Sequence, residues 1–220
     1  MSNPKIESAA SLVPELGEIL EPLGVYEELL RRWQSKLNLV GHSTLSEVWS
    51  RHFADSLQLV KFASVDGRWA DLGSGAGFPG LVIALLQRSR HVGEMHLIES
   101  DRRKASFLRE VSRETGAAAV VHNARCEDVL RAIKADVIVS RAMAPMPDLM
   151  DLVKDDVENG STGLFLKGRD IASELTRTPS NSNFILELYP SKVDPAGSIV
   201  RLRANGREDF GGFDARSRVG

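Results

Sequence analysis

Apolar residues in the N-terminal third of the chain recur at the spacing of amphipathic helices. The first helical face is formed by Val25, Leu29, Trp33 and Leu37. The second helical face is formed by Val48, His52, Phe53, Leu57 and Val60. Gly41 lies between the two faces and marks a break. The pattern therefore predicts a helical lead-in over residues 1–63.

From Arg68 onward the pattern changes to short apolar runs that alternate with helical stretches. The predicted strands are Trp69–Leu72, Met95–Ile98, Ala118–Val121, Val137–Val139 and Gly163–Leu166. The predicted helices are Leu81–Gln87, Asp101–Thr115 with Gly116 as its stop, Glu127–Ile133 and Pro147–Val153. Such alternation is typical of a parallel sheet whose strands are joined by right-handed crossover helices.

Two later apolar runs predict an antiparallel hairpin at one edge of this sheet. They are Phe184–Leu188 and Ser198–Leu202, and a turn region at Pro190–Gly197 joins them. The residues after Asn205 are rich in Gly and Arg, and we expect a loose tail there. The predicted organisation is one α/β domain: lead-in 1–63, core 64–205 and tail 206–220.

The composition is that of an ordinary globular protein, with 42% hydrophobic and 26% charged residues in a chain of 220. This length suits one domain of catalytic size rather than two large domains. The formal net charge of -2 disfavours nucleic-acid binding through an overall basic surface. Any contact with RNA must therefore be made by local basic patches.

The single cysteine and the five histidines indicate neither a disulfide nor a metal site. Cys126 has no partner within the chain, and the histidines lack compact metal-binding spacing. The first ten residues do not resemble a signal peptide, and no run approaches the ~20 apolar residues of a membrane span. We expect a cytoplasmic, monomeric protein without metal.

A glycine-rich loop follows the first predicted core strand. Gly73, Gly75 and Gly77 come directly after Asp71-Leu72. Glycines at the junction of a strand and a helix let backbone N–H groups approach a ligand that side chains would block. A dinucleotide fingerprint would place its third glycine at Phe78. The loop therefore favours S-adenosylmethionine over NAD as the ligand.

An acidic residue stands where a nucleoside site needs one. Glu99 ends the second predicted strand, 26 positions after Gly73 (99 minus 73), and its carboxylate can accept hydrogen bonds from ribose hydroxyls. This role suits either cofactor. The alternative is a tight turn without a ligand, but the preceding strand, Asp71 and Glu99 together favour a binding site.

The stretch Asp71–Gly80, DLGSGAGFPG, resembles the signature of the bacterial rRNA small-subunit methyltransferase G family, also called GidB. The likeness covers roughly residues 25–175. It continues through Asn38–Val40, Arg51–Leu57, Glu99-Ser100, Lys104, Phe107-Leu108, Ser140–Ala142 and Leu166–Gly168. The resemblance implies a Rossmann-like class I methyltransferase with seven strands, mostly parallel, and an antiparallel last strand. It also implies methylation of N7 of a guanine in a conserved loop of 16S rRNA in the small ribosomal subunit.

By the same resemblance, cofactor contacts fall on Gly73, Phe78, the pair Cys126-Glu127, and Arg141. With the glycine loop and its acid, the predicted cofactor-binding set is Gly73, Ser74, Gly75, Gly77, Phe78, Glu99, Cys126, Glu127 and Arg141. Many relatives have alanine at position 126, so Cys126 departs from the family pattern. A contact through backbone groups would tolerate this difference. Arg141 is also the predicted catalytic residue. Its planar guanidinium suits stacking on the target base, a hydrogen bond to the O6 atom of that base, or a contact with the cofactor or a phosphate. The alternative is a structural ion pair.

Methylation at guanine N7 makes few chemical demands on the protein. N7 carries an in-plane lone pair and no proton, so the transfer requires alignment rather than a general base. The exit of the fourth strand, Ser140–Pro145, lacks the Asn/Asp-Pro-Pro-aromatic motif common in amino-group methyltransferases. Cys126 does not follow a proline, as the nucleophile of pyrimidine C5 methylation usually does. N7 transfer is therefore favoured over both alternatives.

Four residues are the candidates for contact with RNA: Arg51, His52, Lys167 and Arg169. The first two lie on the lead-in, and the last two follow the fifth strand on the edge where ligands bind in open α/β sheets. A solvated loop is the competing interpretation for Lys167 and Arg169. Two alternative functions also stay open: a small-molecule methyltransferase, and a ribosome assembly factor without catalysis.

Overall fold

A seven-stranded mixed sheet forms the centre of the computed structural model, which describes residues 4–176 and 183–206. The strands are β1 Arg68–Leu72, β2 Glu94–Ile98, β3 Val120–His122, β4 Val137–Arg141, β5 Thr162–Lys167, β6 Phe184–Pro190 and β7 Ser198–Ala204. Their order is β3-β2-β1-β4-β5-β7-β6. The first five of these neighbours are parallel, and β7 runs antiparallel to both β5 and β6. The predicted sheet with an antiparallel last strand and an edge hairpin is confirmed.

Helices cover the sheet and form the lead-in. The α-helices are α1 Pro4–Leu12, α2 Leu20–Gln34, α3 Asp55–Leu57, α4 Gly80–Ser89, α5 Arg102–Thr115, α6 Cys126–Ile133, α7 Met146–Glu158 and α8 Ile171–Thr176. The lead-in also has 3₁₀ turns at Pro14–Ile19, His42–Glu47 and Gln58–Lys61 and a π turn at Trp49–Ala54. Within the described ranges, no helix combines the length and apolarity needed to cross a membrane.

Local sequence explains both ends of α5. The side chain of Asp101 accepts hydrogen bonds from the backbone N–H groups of Arg103 and Lys104, at 2.8 and 3.0 Å. These bonds satisfy two of the donors that a helix leaves free at its first turn. Gly116 ends the helix with φ of 70°, in the left-handed region that favours glycine. The predicted helix and its stop are confirmed.

Three elements differ from their predictions. The strand predicted over Ala118–Val121 begins only at Val120, because φ of 56° at Ala118 takes the chain out of an extended conformation. Helix α7 continues to Glu158, five residues beyond its predicted end. The second helical face of the lead-in is a succession of π, α and 3₁₀ turns rather than one α-helix. The π turn buries Trp49, His52, Phe53 and Ala54.

Aromatic side chains pack the lead-in against the core. The rings of Tyr26 and Phe78 stack with centroids 5.3 Å apart, and Phe53 lies 5.4 Å from Tyr26. Trp33 meets Phe107 of α5 edge-on at 5.8 Å. One hydrophobic cluster therefore contains residues of both parts of the chain. The predicted loose tail lies outside the described residues from position 207 onward.

The hydroxyl of Tyr26 is the polar link between this cluster and the glycine loop, since it donates to the backbone carbonyl of Ala76. We predict that Tyr26→Phe lowers the free energy of unfolding by about 1–3 kcal/mol, because it leaves a buried carbonyl without a donor. Urea unfolding measures the change. Tyr189→Phe is the matched control, since it removes the same hydroxyl from a half-buried tyrosine whose ring packs on Phe62. Equal losses in the two variants would show that the Tyr26 bond contributes nothing specific.

Candidate active site

The glycine loop between β1 and α4 has a conformation that requires glycine. Gly73, Gly75 and Gly77 have φ of 62°, 56° and 89°, all in the left-handed region where a Cβ atom is strained. The Ser74 hydroxyl donates to the Asp71 carbonyl at 3.0 Å, and the Gly77 N–H donates to the Ser74 carbonyl at 2.6 Å. The loop is therefore closed by its own hydrogen bonds.

The surroundings of the three glycines differ. A Cβ atom on Gly77 would lie 2.5 Å from Leu81, and one on Gly73 would lie 3.0 Å from Met143. A Cβ atom on Gly75 would have only the Gly73 carbonyl within 4 Å, at 3.7 Å. Packing thus constrains the two outer glycines, whereas the middle of the loop has room for another molecule beside its backbone.

Glu99, at the end of β2, is tied to this loop. One carboxylate oxygen accepts the Gly75 N–H at 2.8 Å, and the other accepts the Asp101 N–H at 2.7 Å. A carboxylate has about four lone-pair positions, so each oxygen keeps acceptor capacity for ribose hydroxyls. The side chain of Asn123, which the sequence analysis missed, donates to the carbonyls of Glu99 and Ser100. The sequence signal that could have indicated Asn123 was a polar residue directly after the third strand.

Two further groups complete the floor of the loop. Asp71 is fully buried, and burial raises the pKa of its carboxyl to about 7 while one oxygen accepts the Gly80 N–H at 3.0 Å. Cys126, the first residue of α6, is also buried, and burial raises the pKa of its thiol to about 11. Such a thiol stays protonated at neutral pH, which disfavours a cysteine nucleophile. Glu127 is exposed in the same turn.

Arg141, at the end of β4, lies against the lead-in. Its guanidinium donates to His52 Nδ1 at 2.7 Å, and its Cζ atom lies 4.8 Å from the centroid of the Phe78 ring. The His52 ring stacks on the same Phe78 ring, also at 4.8 Å. Arginine has no acceptor, so His52 Nδ1 must accept, and the ring proton lies on Nε2, 3.0 Å from the Thr44 hydroxyl. Both nitrogens of His52 are therefore engaged.

Burial and the neighbouring charges of Arg141 and Arg51 lower the pKa of His52 to about 3. The ring is therefore neutral at physiological pH, and only 6% of the residue is exposed. The position of His52 does not support the expectation that it binds RNA. A neutral ring with both nitrogens bonded inside the protein has neither the charge nor a free donor for a phosphate.

The other three candidates for RNA contact lie in different surroundings. The Lys167 side chain is 6% exposed, and its ammonium donates to Glu174 and to the Ala144 carbonyl, each at 2.7 Å, which does not support a phosphate contact. Arg169 is exposed in the loop after β5. Arg51 forms an ion pair with Asp194 at 3.1 Å and keeps 38% of its side chain exposed. Of the four candidates, only Arg51 and Arg169 thus present a positively charged group at the surface.

A cleft of about 480 Å³ opens at the carboxyl ends of β4 and β5. Its walls come from the lead-in, the exits of β4 and β5 and the turn between β6 and β7, and include Arg51, His52, Asp55, Arg141, Met143, Lys167, Glu174, Ser191 and Asp194. Gln58 holds two walls together, since it bonds to the Ser191 hydroxyl and to the Lys192 N–H. Among the residues that the structure describes, no group of three or more potential ligands is placed to hold a metal ion.

Asp55 is one of the cleft residues that the sequence analysis did not propose for the site. Burial raises the pKa of its carboxyl to about 6, and the strongest opposing influence is the charge of Arg141. The sequence signal that could have indicated Asp55 was its position as a carboxylate within the family-like segment Arg51–Leu57. Sequence alone does not show that this segment forms a wall of the cleft.

Solved structures of methyltransferase and related proteins share the fold of this chain. Precorrin-6y C5,15-methyltransferase from Geobacter metallireducens has a TM-score of 0.54 at 12% identity, covering 75% of this chain and 90% of that one. A chain of a fibrillarin/Nop5p complex has a TM-score of 0.51 at 14% identity, covering 69% and 80%. The sheet order, with its antiparallel β7, is that of a Rossmann-like class I methyltransferase.

Sequence comparison then gives the family. A family model described as rRNA small subunit methyltransferase G matches residues 19–197. Proteins named ribosomal RNA small subunit methyltransferase G from Rhodospirillum centenum and Methylorubrum extorquens are 50% and 45% identical to this chain. The first alignment covers 84% of each chain, and the second covers 87% of this chain and 92% of its relative. The chain belongs to the rRNA small subunit methyltransferase G family.

We predict that the imidazole of His52 does not titrate between about pH 5 and pH 8. In the unfolded chain its pKa returns to about 6.5, so the unfolded state binds one more proton below that pH. The contribution of His52 to stability therefore falls as the pH drops from about 6.5 toward 3. NMR of the imidazole C–H resonances tests this, with the exposed His42 as reference. A His52 midpoint inside this window would contradict the buried, neutral assignment.

Proposed function

We propose that this protein transfers a methyl group from S-adenosylmethionine to N7 of one guanine in the 16S rRNA of the small ribosomal subunit. The observation that carries the proposal is the junction between the glycine loop and the cleft. Met143 lines the cleft and also lies 3.0 Å from the position of a Cβ atom on Gly73. A ligand on the loop and a base in the cleft would therefore meet at the end of β4. The family relationship supports rRNA as the source of that base.

The residues around the loop fit S-adenosylmethionine, which supplies a methyl group on a positively charged sulfur. The open side of Gly75 leaves room beside the backbone, and Glu99 has acceptor capacity for ribose hydroxyls. The remaining proposed contacts are Gly73, Ser74, Gly77, Phe78, the backbone of Cys126 and Glu127, and Arg141. The contact at position 126 uses backbone groups, so it does not depend on the Cys126 thiol.

The cleft suits a reaction that moves no proton. Guanine N7 carries a lone pair and no hydrogen, so its attack requires no general base. His52 is neutral with both nitrogens engaged, and the Lys167 ammonium is paired with Glu174. The chain therefore contributes alignment and electrostatics. The carboxylates of the cleft wall favour the positive charge that develops on the purine.

Contact with the RNA backbone falls to Arg51 and Arg169 in this proposal. Their surface guanidinium groups suit phosphates, and a focal contact agrees with a net charge of -2. A base splayed out of a single-stranded loop is the form in which proteins usually read RNA. We further propose that the protein acts as a monomer in the cytoplasm, where small subunits are assembled.

A pair of glycine variants tests the cofactor site. Gly75→Ala and Gly116→Ala both place a Cβ atom at positive φ, of 56° and 70°, and both should lose about 1 kcal/mol of stability. Neither Cβ atom would have another atom closer than 3.7 Å, and Gly116 lies beyond the far end of α5. We predict that only Gly75→Ala weakens S-adenosylmethionine binding, by tenfold or more in isothermal titration. Equal affinities in the two variants would place the cofactor elsewhere.

Transfer of labelled methyl from S-adenosylmethionine to small subunits from cells that lack this gene tests the reaction itself. Aniline cleavage then maps 7-methylguanosine, and label at a single 16S guanine is the expected result. Free 16S rRNA, large subunits and a metabolite extract are the controls. Label in the extract alone would favour a small-molecule methyltransferase. Cofactor binding without transfer to any of these would favour an assembly factor.

A further inference from the structure

Asp55 places in the cleft a carboxylate oxygen that has no hydrogen-bond partner among the described residues. Its Oδ1 accepts from Gln58 Nε2 at 2.6 Å and, at 3.4 Å, from the Ser191 hydroxyl. Its Oδ2 accepts no hydrogen bond from the described residues. This oxygen is accessible, because it is not one of the fully buried polar atoms without a partner. Asp55 lines the cleft, so this oxygen is open to whatever the cleft holds.

The other two carboxylates of the cleft wall are already committed. Glu174 accepts from the Lys167 ammonium and from the Met146 N–H, both at 2.7 Å. Asp194 pairs with Arg51 at 3.1 Å and accepts the Ala196 N–H at 3.0 Å. Asp55 has no such ion pair among the described residues. It differs from both neighbours in having acceptor capacity to offer to a substrate.

Among charged groups, Arg141 has the largest effect on the pKa of Asp55. Asp55 likewise has the largest effect of any charged group on the pKa of Arg141. Arg141 also lines the cleft, and one of its nitrogens is bonded to His52 while the guanidinium carries five N–H donors in all. The same cleft is therefore lined by a group that donates hydrogen bonds and by a group that accepts them.

We propose that Asp55 recognises the Watson–Crick edge of the target guanine, accepting hydrogen bonds from N1–H and the N2 amino group, with Arg141 facing O6. This inference rests on the proposed function. The edge of guanine reads acceptor, donor, donor from O6 to N2, which a guanidinium and a carboxylate lining the same cleft complement. Adenine presents a donor and then an acceptor, so its N1 lone pair would face a carboxylate oxygen. Asp55 thus selects guanine over adenine.

The same contact favours the transition state over the bound substrate. The N7 lone pair forms the new C–N bond, the electron pair of the S–C bond stays on sulfur, and the N1 proton remains on the base. The purine gains positive charge, so N1–H becomes a stronger donor to a carboxylate. An interaction that strengthens during transfer raises kcat as well as affinity. Asp55 therefore contributes to rate without accepting a proton.

The test combines protein variants with one altered base. Asp55→Asn keeps an acceptor for Gln58 but replaces the other oxygen with an NH₂ donor that opposes N1–H. Asp194→Asn is the matched control, since it neutralises another carboxylate of the same cleft. The substrates are small subunits rebuilt with 16S rRNA that carries guanosine or inosine at the target position. Inosine keeps N7, O6 and N1–H but lacks the 2-amino group.

Wild-type protein should methylate the guanosine substrate with kcat/KM about tenfold or more above that for inosine, as expected for a hydrogen bond to a charged acceptor. Asp55→Asn should lower kcat for guanosine by about tenfold or more and treat the two substrates alike. Asp194→Asn should keep the wild-type preference. Asp55→Glu retains the charge, so it should keep a preference for guanosine over inosine at a reduced rate. This variant replaces Asp55→Asn in the test if Asp55→Asn does not fold.

A wild-type preference retained in Asp55→Asn would overturn this inference and make Asp55 a packing partner of Gln58 and Ser191. Equal rates for guanosine and inosine with the wild-type protein would overturn it as well. Both results leave the proposed function standing, because methyl transfer to the guanosine substrate is observed in each. Absence of transfer by the wild-type protein would instead overturn the proposed function, and this inference with it.

Discussion

The aromatic ring of Phe78 is the contact on which the rest of the site depends. Four groups pack on it: the ring of Tyr26 from α2, the rings of His52 and Phe53 from the π turn, and the guanidinium of Arg141 from β4. Phe78 itself ends the glycine loop, where a dinucleotide-binding loop would have its third glycine. One apolar ring thus joins the lead-in, the loop and the sheet, and fixes the loop relative to the cleft.

Burial shifts the pKa values of the ionisable groups around Arg141, whereas Arg51 and Lys167 form ion pairs in the wall of the cleft. Burial holds the pKa of Asp55 near 6 and that of Asp71 near 7, and it lowers the pKa of Arg141. The neutral state of His52 keeps a second positive charge away from Arg141. A site for transfer of a positively charged methyl group benefits from this arrangement, because additional cations would oppose the charge that develops on the base.

The cleft is built from segments that are far apart in the chain. Gln58 of the lead-in bonds to Ser191 and Lys192 in the turn between β6 and β7, more than 130 positions away. Arg51 and Asp194 form a second link between the same two segments. The lead-in is therefore a structural wall of the cleft, which the Rossmann-like core alone would leave incomplete.

Much of the molecule was determined by local sequence, because local patterns encode local structure. The alternation of apolar runs predicted the parallel strands, and Asp101 and Gly116 set the ends of α5 through their own hydrogen bonds and φ angle. Asp71–Gly80 identified the glycine loop and the family. The misplaced start of β3 at Ala118 shows the limit, since its positive φ depends on how the chain leaves α5.

Only the tertiary structure decided what the site residues do. His52 and Lys167 are basic in the sequence, but the fold buries one as a neutral acceptor for Arg141 and pairs the other with Glu174. Asp55 was an unremarked acid until the fold of the lead-in placed it in the cleft. Charge state and free hydrogen-bonding capacity depend on burial and on neighbours distant in the chain. For that reason the sequence determined the fold and the loop, and the packing of the lead-in decided the cleft.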